Sequence, residues 1–389
     1  MNLTNLRVIV ILFVLLGAIV VGYFKTNLLN EVELVSGLGI DKVDDHYLIT
    51  LQVYNPSANQ KNAVDPTGGF TYVQTGKTVP DALMKIQKDT LKFAILDTLQ
   101  IVALSERLVK EEGLDESLDF LIRDPKVPSH INTIIVKNYS PDVFLKIFTP
   151  QQKLSALYTK TMLDNSKSLW GSLVNTSSER IKSILKDETS DVAIPYVEIL
   201  GDVEKGMSME NIEDFAPDTI IALKGFAAFK GEKFKSYLTY KESNVLALVK
   251  DVNQLTSISS ECPDGDDEFS IETVKTSSKL KAMKDPVSYE LNVNVHGNLE
   301  QNTCNGDLTS MDFQKKLAGQ MEEKIKSDIH ELIEKAKEED TDFLGLKDSL
   351  YRRHPHIWEE KKKDDEFLSS AKVKINVNVN FIRFGHVKH

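Results

Sequence analysis

The sequence predicts an α+β protein carried behind one apolar N-terminal segment. Three observations lead there. An uncharged apolar run, Val8 to Phe24, follows Arg7 and stops at Lys25. Strand and helix signals then alternate through the first half of the chain. Toward the C-terminus, two strictly alternating segments flank one long amphipathic stretch.

At about 1.5 Å per residue the apolar run reaches roughly 25 Å, the short end of a transmembrane helix. Arg7 favours a cytosolic N-terminus, with Glu31 and Glu33 on the far side. Residues 1–25 are therefore expected to be a transmembrane anchor or signal-anchor, and the rest of the chain to be exported. A cleaved secretory signal is the competing reading. Gly22 could bound a cleavage site, but Val20 suits the accompanying position poorly and no A-x-A pattern is present. A buried core helix does not suit so extreme a run in a chain of mean hydropathy −0.24.

A length of 389 residues suits two or three domains. With 41% hydrophobic and 27% charged residues, the chain can build real cores under a solvated surface, and disorder is not indicated. The net charge of −11 disfavours nucleic acid or anionic lipid as a broad electrostatic partner. The one basic run, Lys361 to Lys363, is answered at once by Asp364, Asp365 and Glu366.

Each element has a local reason. Leu34 to Asp41 and Tyr47 to Tyr54 read as a hairpin about Asp44-Asp45-His46. Gly37 and Gly39 lie inside a strand and suit close backbone approach. Asn55 to Gly69 reads as a long loop and Phe70 to Val73 as a strand. Pro80 starts a helix to about Asp89. Thr98 to Leu104 is a short strand, and Ser105 caps a helix through Lys110. Asp115 to Ile122 is a helix stopped by Asp124-Pro125. Ile131 to Lys137 is a strand, and Ser140-Pro141-Asp142 opens a helix from Val143 to Phe148. Helical stretches follow at Gln151 to Met162 and Ser178 to Leu185.

Gly201 to Asp218 is polar and acidic, the best boundary the sequence offers, so an N-terminal α+β domain is expected over 26–200. A small middle domain over 217–255 would hold the strands Ile220 to Phe229 and Lys235 to Tyr240 and a helix from Lys241 to Val249. A C-terminal α+β domain over 256–389 would hold the alternating strands Tyr289 to His296 and Val373 to Phe381, plausible sheet neighbours. Between them Phe313, Leu317, Met321, Ile325, Ile329 and Ile333 form a helical stripe capped by Ser310. The stripe suits packing on a sheet; a groove for a partner helix is the alternative. The sheets are expected to be mostly antiparallel.

Motifs of catalysis are missing from the sequence. It contains no G-x-S-x-G, no H-E-x-x-H, no phosphate loop and no Rossmann fingerprint. His354-Pro355-His356 lacks a third ligand nearby, and Asp264, Asp266, Asp267 and Glu268 resemble a calcium loop only in charge, which suits an acidic hairpin tip better. No metal, cofactor or catalytic residue is assigned. Cys262 and Cys304 lie in turn-rich stretches; both a pair of free thiols and a disulfide are open, since export would permit a bridge.

Five ordered stretches together resemble the Ger(x)C family, the C subunits of bacterial spore germinant receptors. They are Glu31 to Asp41; Ala103 to Glu106 continuing through Leu118 to Pro125; Leu223 to Lys230 leading into Tyr237, Leu238, Thr239 and Glu242; Thr341 to Leu346 followed by Tyr351 to Pro355 and Trp358; and Arg383-Phe384-Gly385. The resemblance implies three α+β domains and a non-enzymatic subunit required for nutrient-triggered germination. It further implies assembly with membrane A and B subunits at the spore inner membrane, with the bulk of the chain on the outer face. Family members carry a lipobox cysteine. Counting back from Ser36-Gly37, that position falls on Tyr23, and the first cysteine of this chain is Cys262. Thioether lipidation at the N-terminus is excluded, so anchoring falls to the helix. An exported, membrane-anchored small-molecule-binding protein is the alternative function.

Overall fold

Val32–Val43 (β1) and His46–Tyr54 (β2) pair antiparallel about a tight turn in which Asp44 and Asp45 both take positive φ. They belong to a computed structural model that describes residues 32–55, 67–187, 189–252, 255–265, 267–284 and 287–383, together with Gly17. Apart from Gly17, the expected anchor lies outside those residues, as do Tyr23 and the terminal Phe384-Gly385. Among the described residues no helix is long and apolar enough to cross a membrane.

Gly69–Gly76 (β3) adds to the free edge of β2. Val79–Asp89 (α1) carries Pro80 in its first turn, and the Thr78 side chain accepts from the Asp81 N–H. Phe93–Ile95 (β4) and Ile101–Ser105 (β5) both run parallel to β1. Glu106–Glu111 (α2) and Asp115–Arg123 (α3) cross over to Asn132–Lys137 (β6), parallel to β5. Pro141–Lys146 (α4), Ser155–Asn165 (α5), Lys167–Trp170 (α6) and Ser178–Leu185 (α7) form the next crossover, to Val192–Gly201 (β7), parallel to β6. Val203–Gly206 (α8) and Glu210–Glu213 (α9) then return the chain into the antiparallel strands Thr219–Lys230 (β8) and Lys233–Leu238 (β9).

The resulting order is β3-β2-β1-β5-β6-β7-β8-β9, with β4 beside β1. Among the described strands antiparallel pairs outnumber parallel ones, six to five, so the sheets are mixed and the parallel pairs gather at the centre of the larger one. Helical crossovers of this length return a strand parallel to its predecessor, so the centre is parallel and only the flanks are antiparallel. Helices cover both faces there, and β5 is buried at every position. The polar segment after Gly201 is an excursion between hydrogen-bonded neighbours, β7 and β8, so strand pairing crosses the sequence boundary at that point.

Two strands depend on special residues. β7 carries Pro195 in a central position, where a missing N–H removes a ladder bond. Pairing with β6 begins only after it, at Tyr196, and a bulge follows at Tyr196/Val197 on the β8 side. Opposite it, Gly225 takes φ +150, and a Cβ there would lie 2.1 Å from the Leu238 carbonyl oxygen. In β1 the constraint is approach. A Cβ on Gly37 would lie 2.8 Å from both Ala156 Cβ and Leu145 Cδ2, and one on Gly39 would lie 2.8 Å from Pro141 Cβ. α4 and α5 therefore sit directly on the β1 backbone.

A second sheet follows Tyr240–Val249 (α10), which opens on a capping box between Thr239 and Glu242. Its strands, Ser257–Glu261 (β10), Glu268–Met283 (β11), Ser288–Asn302 (β12) and Val373–Arg383 (β13), lie in that order. β12 and β13 are neighbours, as their matching alternation suggests, and run parallel with Leu291 opposite Ile375. Met311–Glu338 (α11), Leu346–Arg353 (α12) and Pro355–Lys361 (α13) make the crossover. All six residues of the predicted stripe on α11 are buried. Ser310 occupies the N-cap, but its side chain makes no capping hydrogen bond; its carbonyl accepts from Gln314 N instead.

One core cluster lies under α1, α2, α3 and α7 on one face of the larger sheet. The other runs without a break from the opposite face through α4, α5 and α10 to α11 and the smaller sheet. Trp170 stitches this second core. It is 1% exposed, lies edge-on to Phe226 at 5.1 Å and donates Nε1–H to Asn244 at 2.7 Å.

Gly39→Val is expected to cost about 1–3 kcal/mol, because the added methyls must displace Pro141 and Leu145 from a packed interior. Chemical denaturation, with Gly265→Ala in open space at the β10–β11 tip as control, checks this. Cys262 and Cys304 are joined by a disulfide across 42 residues of sequence, and replacing both by Ser is expected to cost roughly 4 kcal/mol by loop-closure entropy. The same denaturation midpoints read it out.

Candidate functional site at the joint between the two sheets

Among the described residues no group of three or more His, Cys, Asp or Glu could hold a metal ion. His354 and His356 flank the break between α12 and α13, with Pro355 opening the second helix. Asp264, Asp267 and Glu268 stand at the tip of the β10–β11 hairpin, where Cys262 N donates to Asp267 O at 2.7 Å; Asp266 lies outside the described residues. The disulfide ties this tip to the end of β12.

Charge is instead concentrated where the loop after α11 meets the larger sheet. Asp342 is 1% exposed, and one carboxylate oxygen accepts from the N–H groups of Gly345 and Leu346, both at 2.9 Å. The other accepts from Lys347 N at 2.7 Å. Asp342 thus caps α12 from three residues outside it, in place of a capping side chain at Gly345. Its own N–H donates at 2.7 Å to Asp191, just before β7. Asp191 also accepts from Gly231 N at 3.1 Å and lies 3.4 Å from the Lys347 ammonium. Burial pushes the Asp342 carboxyl up, opposed by the backbone donors and by the charges of Lys250 and Lys347.

Lys250, at the end of α10, stands between two cavities beside this joint. One, about 320 Å³, is lined by Asn175, Arg180, Ser190, Asp191 and Phe343 among others. The second, about 280 Å³, takes in Asp251, Asp348, Arg352 and Arg353. Lys250 is exposed by residue area, while its ammonium is crowded by protein. The crowding pushes its ammonium pKa down, and the carboxylates of Asp342, Asp348 and Asp191 pull it back.

Segments singled out by the sequence meet at such points. Asp41 on β1 accepts from Ser105 and, at 2.8 Å, from Arg107. Ser105 also caps α2 by accepting from Leu108 N at 3.0 Å. Lys230 of β8 pairs with Asp340, and Glu242 pairs with Lys335 of α11 at 2.7 Å. Asp191 and Lys250 escaped the sequence reading, because neither stands in a local pattern and their partners are far away in the chain.

Known proteins share this fold. A sequence profile described as the spore germination protein N-terminal domain matches residues 25–199, and one described as spore germination B3/GerAC like, C-terminal, matches residues 224–385. Spore germination protein KC of Bacillus subtilis (strain 168) is 26% identical over 383 residues, covering 95% of this chain and 94% of that protein. Spore germination protein GerQC of Bacillus cereus is 23% identical over 377 residues, covering 94% and 97%. Spore germination protein B3 of Bacillus subtilis (strain 168) is 23% identical over 382 residues, covering 94% and 95%. The crystal structure of the GerBC protein has the same fold, with a TM-score of 0.57 at 19% identity over 89% of this chain and 97% of that one. The two profiles tile nearly all of the described structure in family order, and the chain belongs to the Ger(x)C family of spore germination proteins.

Asp342→Ala leaves three N–H groups without their acceptor and is expected to cost about 2 kcal/mol, with Asp342→Asn costing less because one oxygen still accepts. Denaturation midpoints give the cost. Limited proteolysis between Glu339 and Lys347 shows whether the loss is local to the joint.

Proposed function

We propose that this protein is the C subunit of a spore germinant receptor, a non-catalytic component that works by assembly. It would be held by residues 1–25 at the spore inner membrane, with the bulk of the chain on the outer face, beside membrane A and B subunits. The observation that carries this reading is the pair of family profiles spanning residues 25–199 and 224–385. The relatives named spore germination proteins KC, GerQC and B3 support it over nearly their whole lengths. The architecture suits such a role: its buried charges cap helices and join sheets.

A second reading, a tethered small-molecule-binding protein, draws support from the cavity of about 320 Å³ in which Arg180 and Lys250 are set among Asn175 and Ser190. Calorimetry of the full-length protein in detergent against amino acids and sugars separates the two, and heat of binding abolished by Lys250→Met would favour the second.

Spores lacking this gene, in a strain without redundant receptors, are expected to lose the germination response to at least one nutrient. The tagged protein should also co-purify with A- and B-type membrane subunits. Normal germination with every nutrient tested, and no such subunits in the purified complex, would overturn the receptor reading.

A further inference from the structure

Three large apolar side chains stand exposed at one end of the larger sheet: Phe70 at 45%, Leu91 at 99% and Phe93 at 44%. This is the end at which the chain enters the fold. Phe93 of β4 pairs beside Val32, the first residue of β1. Phe70 opens β3, one residue beyond Gly69, which pairs with Tyr54 opposite Leu34. β4 and β3 lie on opposite sides of β1, three strand spacings of about 4.8 Å apart, and Phe70, level with Val35, sits about 10 Å further along the strands than Phe93, which puts the two roughly 17 Å apart on the rim. Tyr72 sits edge-on to Phe70 at 6.5 Å and donates its hydroxyl to Glu33 at 3.2 Å, which ties the rim to the start of β1.

Lysines flank the apolar tips. Lys126 Nζ lies 5.6 Å from the Phe93 ring, and Lys88 and Lys92 are exposed on either side of Leu91. Asp89, Asp97 and Asp124 share the area, so net charge does not set it apart. A single exposed apolar residue is ordinary on a protein surface. These three share an end, and that end adjoins the apolar run. Only Lys25 to Glu31 separates Phe24 from Val32. At no more than about 3.5 Å per residue, Val32 cannot lie farther than roughly 28 Å from Phe24.

We propose that Phe70, Leu91 and Phe93 form a wedge that enters the outer leaflet of the bilayer crossed by the apolar run, with Lys92 and Lys126 at headgroup level. This rests on the reading of residues 1–25 as a membrane anchor. The lysine stems can lie along the acyl boundary while their ammonium groups stay wet. A tethered wedge needs little affinity of its own, because the anchor supplies a high local concentration of bilayer. The contact sets the orientation of the whole molecule. The strands stand with the Val32 end down, and Phe215, 108% exposed in the excursion between β7 and β8, points away from the membrane.

Full-length protein in phosphatidylglycerol/phosphatidylcholine vesicles tests this. An environment-sensitive fluorophore is placed singly through Leu91→Cys, Phe70→Cys or Phe215→Cys; the native cysteines stay in their disulfide. Retention through an alkaline carbonate wash reports the anchor separately. The labels at 91 and 70 are expected to shift to the blue and to be quenched several-fold more by nitroxide-bearing lipid, relative to iodide, than the label at 215. Leu91→Asp with Phe93→Asp should abolish lipid quenching of the label at 70 while carbonate retention is unchanged. Retained protein whose label at 91 behaves like that at 215 overturns the wedge and leaves the anchor standing. So does a label at 70 still quenched by lipid in the double variant. Protein released by carbonate overturns the anchor reading, and the wedge with it.

Discussion

A buried carboxylate must be met by donors, and the way Asp342 meets this demand fixes the joint between the two sheets. Its two oxygens gather three backbone N–H groups at the start of α12, and its own N–H reaches Asp191 at the edge of the larger sheet. The turn from α11 into α12, on the way back to β13, is set by how that loop is held. The apolar core that spans both sheets supplies the bulk of the cohesion, since it is contiguous from Ile101 to Val379. It is non-directional, however, and the hydrogen-bonded joint supplies the geometry that a greasy interface lacks.

The same division recurs under β1. Gln52 is 2% exposed, and its amide group is fully engaged: it donates to the Leu145 carbonyl at 2.6 Å and to Ser155 at 3.0 Å, and accepts from Ser36 and from Ala156 N, both at 3.2 Å. Glycines at 37 and 39 bring the helices close enough for those bonds to form. A chain that shares only about a quarter of its residues with its relatives can keep a common fold in this way. A few satisfied buried polar groups fix the register, while the apolar positions are free to exchange volume.

Legibility in the sequence followed periodicity. The α11 stripe and the alternating strands β12 and β13 could be read because each has one wet face, which imposes a period of 3.6 or 2. β5 and β6 could be seen as strands, but their direction could not, since burial on both faces erases the alternation and pairing is decided by what lies between them. β7 escaped altogether, because Pro195 in a central strand argues locally against a ladder that the bulge and Gly225 then rescue. Asp342 lay within a recognisable family stretch, yet nothing local pointed to its three donors or to Asp191.

By itself, the sequence determined the class of protein, its acidic, strand-and-helix character and the apolar run ahead of Val32. These depend on composition and on neighbours within a few residues. Only the tertiary structure decided which strands lie parallel, that Cys262 reaches Cys304, that Lys250 stands between two cavities, and that Phe70 and Phe93 share the end where the chain enters. Those facts depend on contacts between segments tens to hundreds of residues apart, and local propensity carries no information about which distant partner a buried group will find.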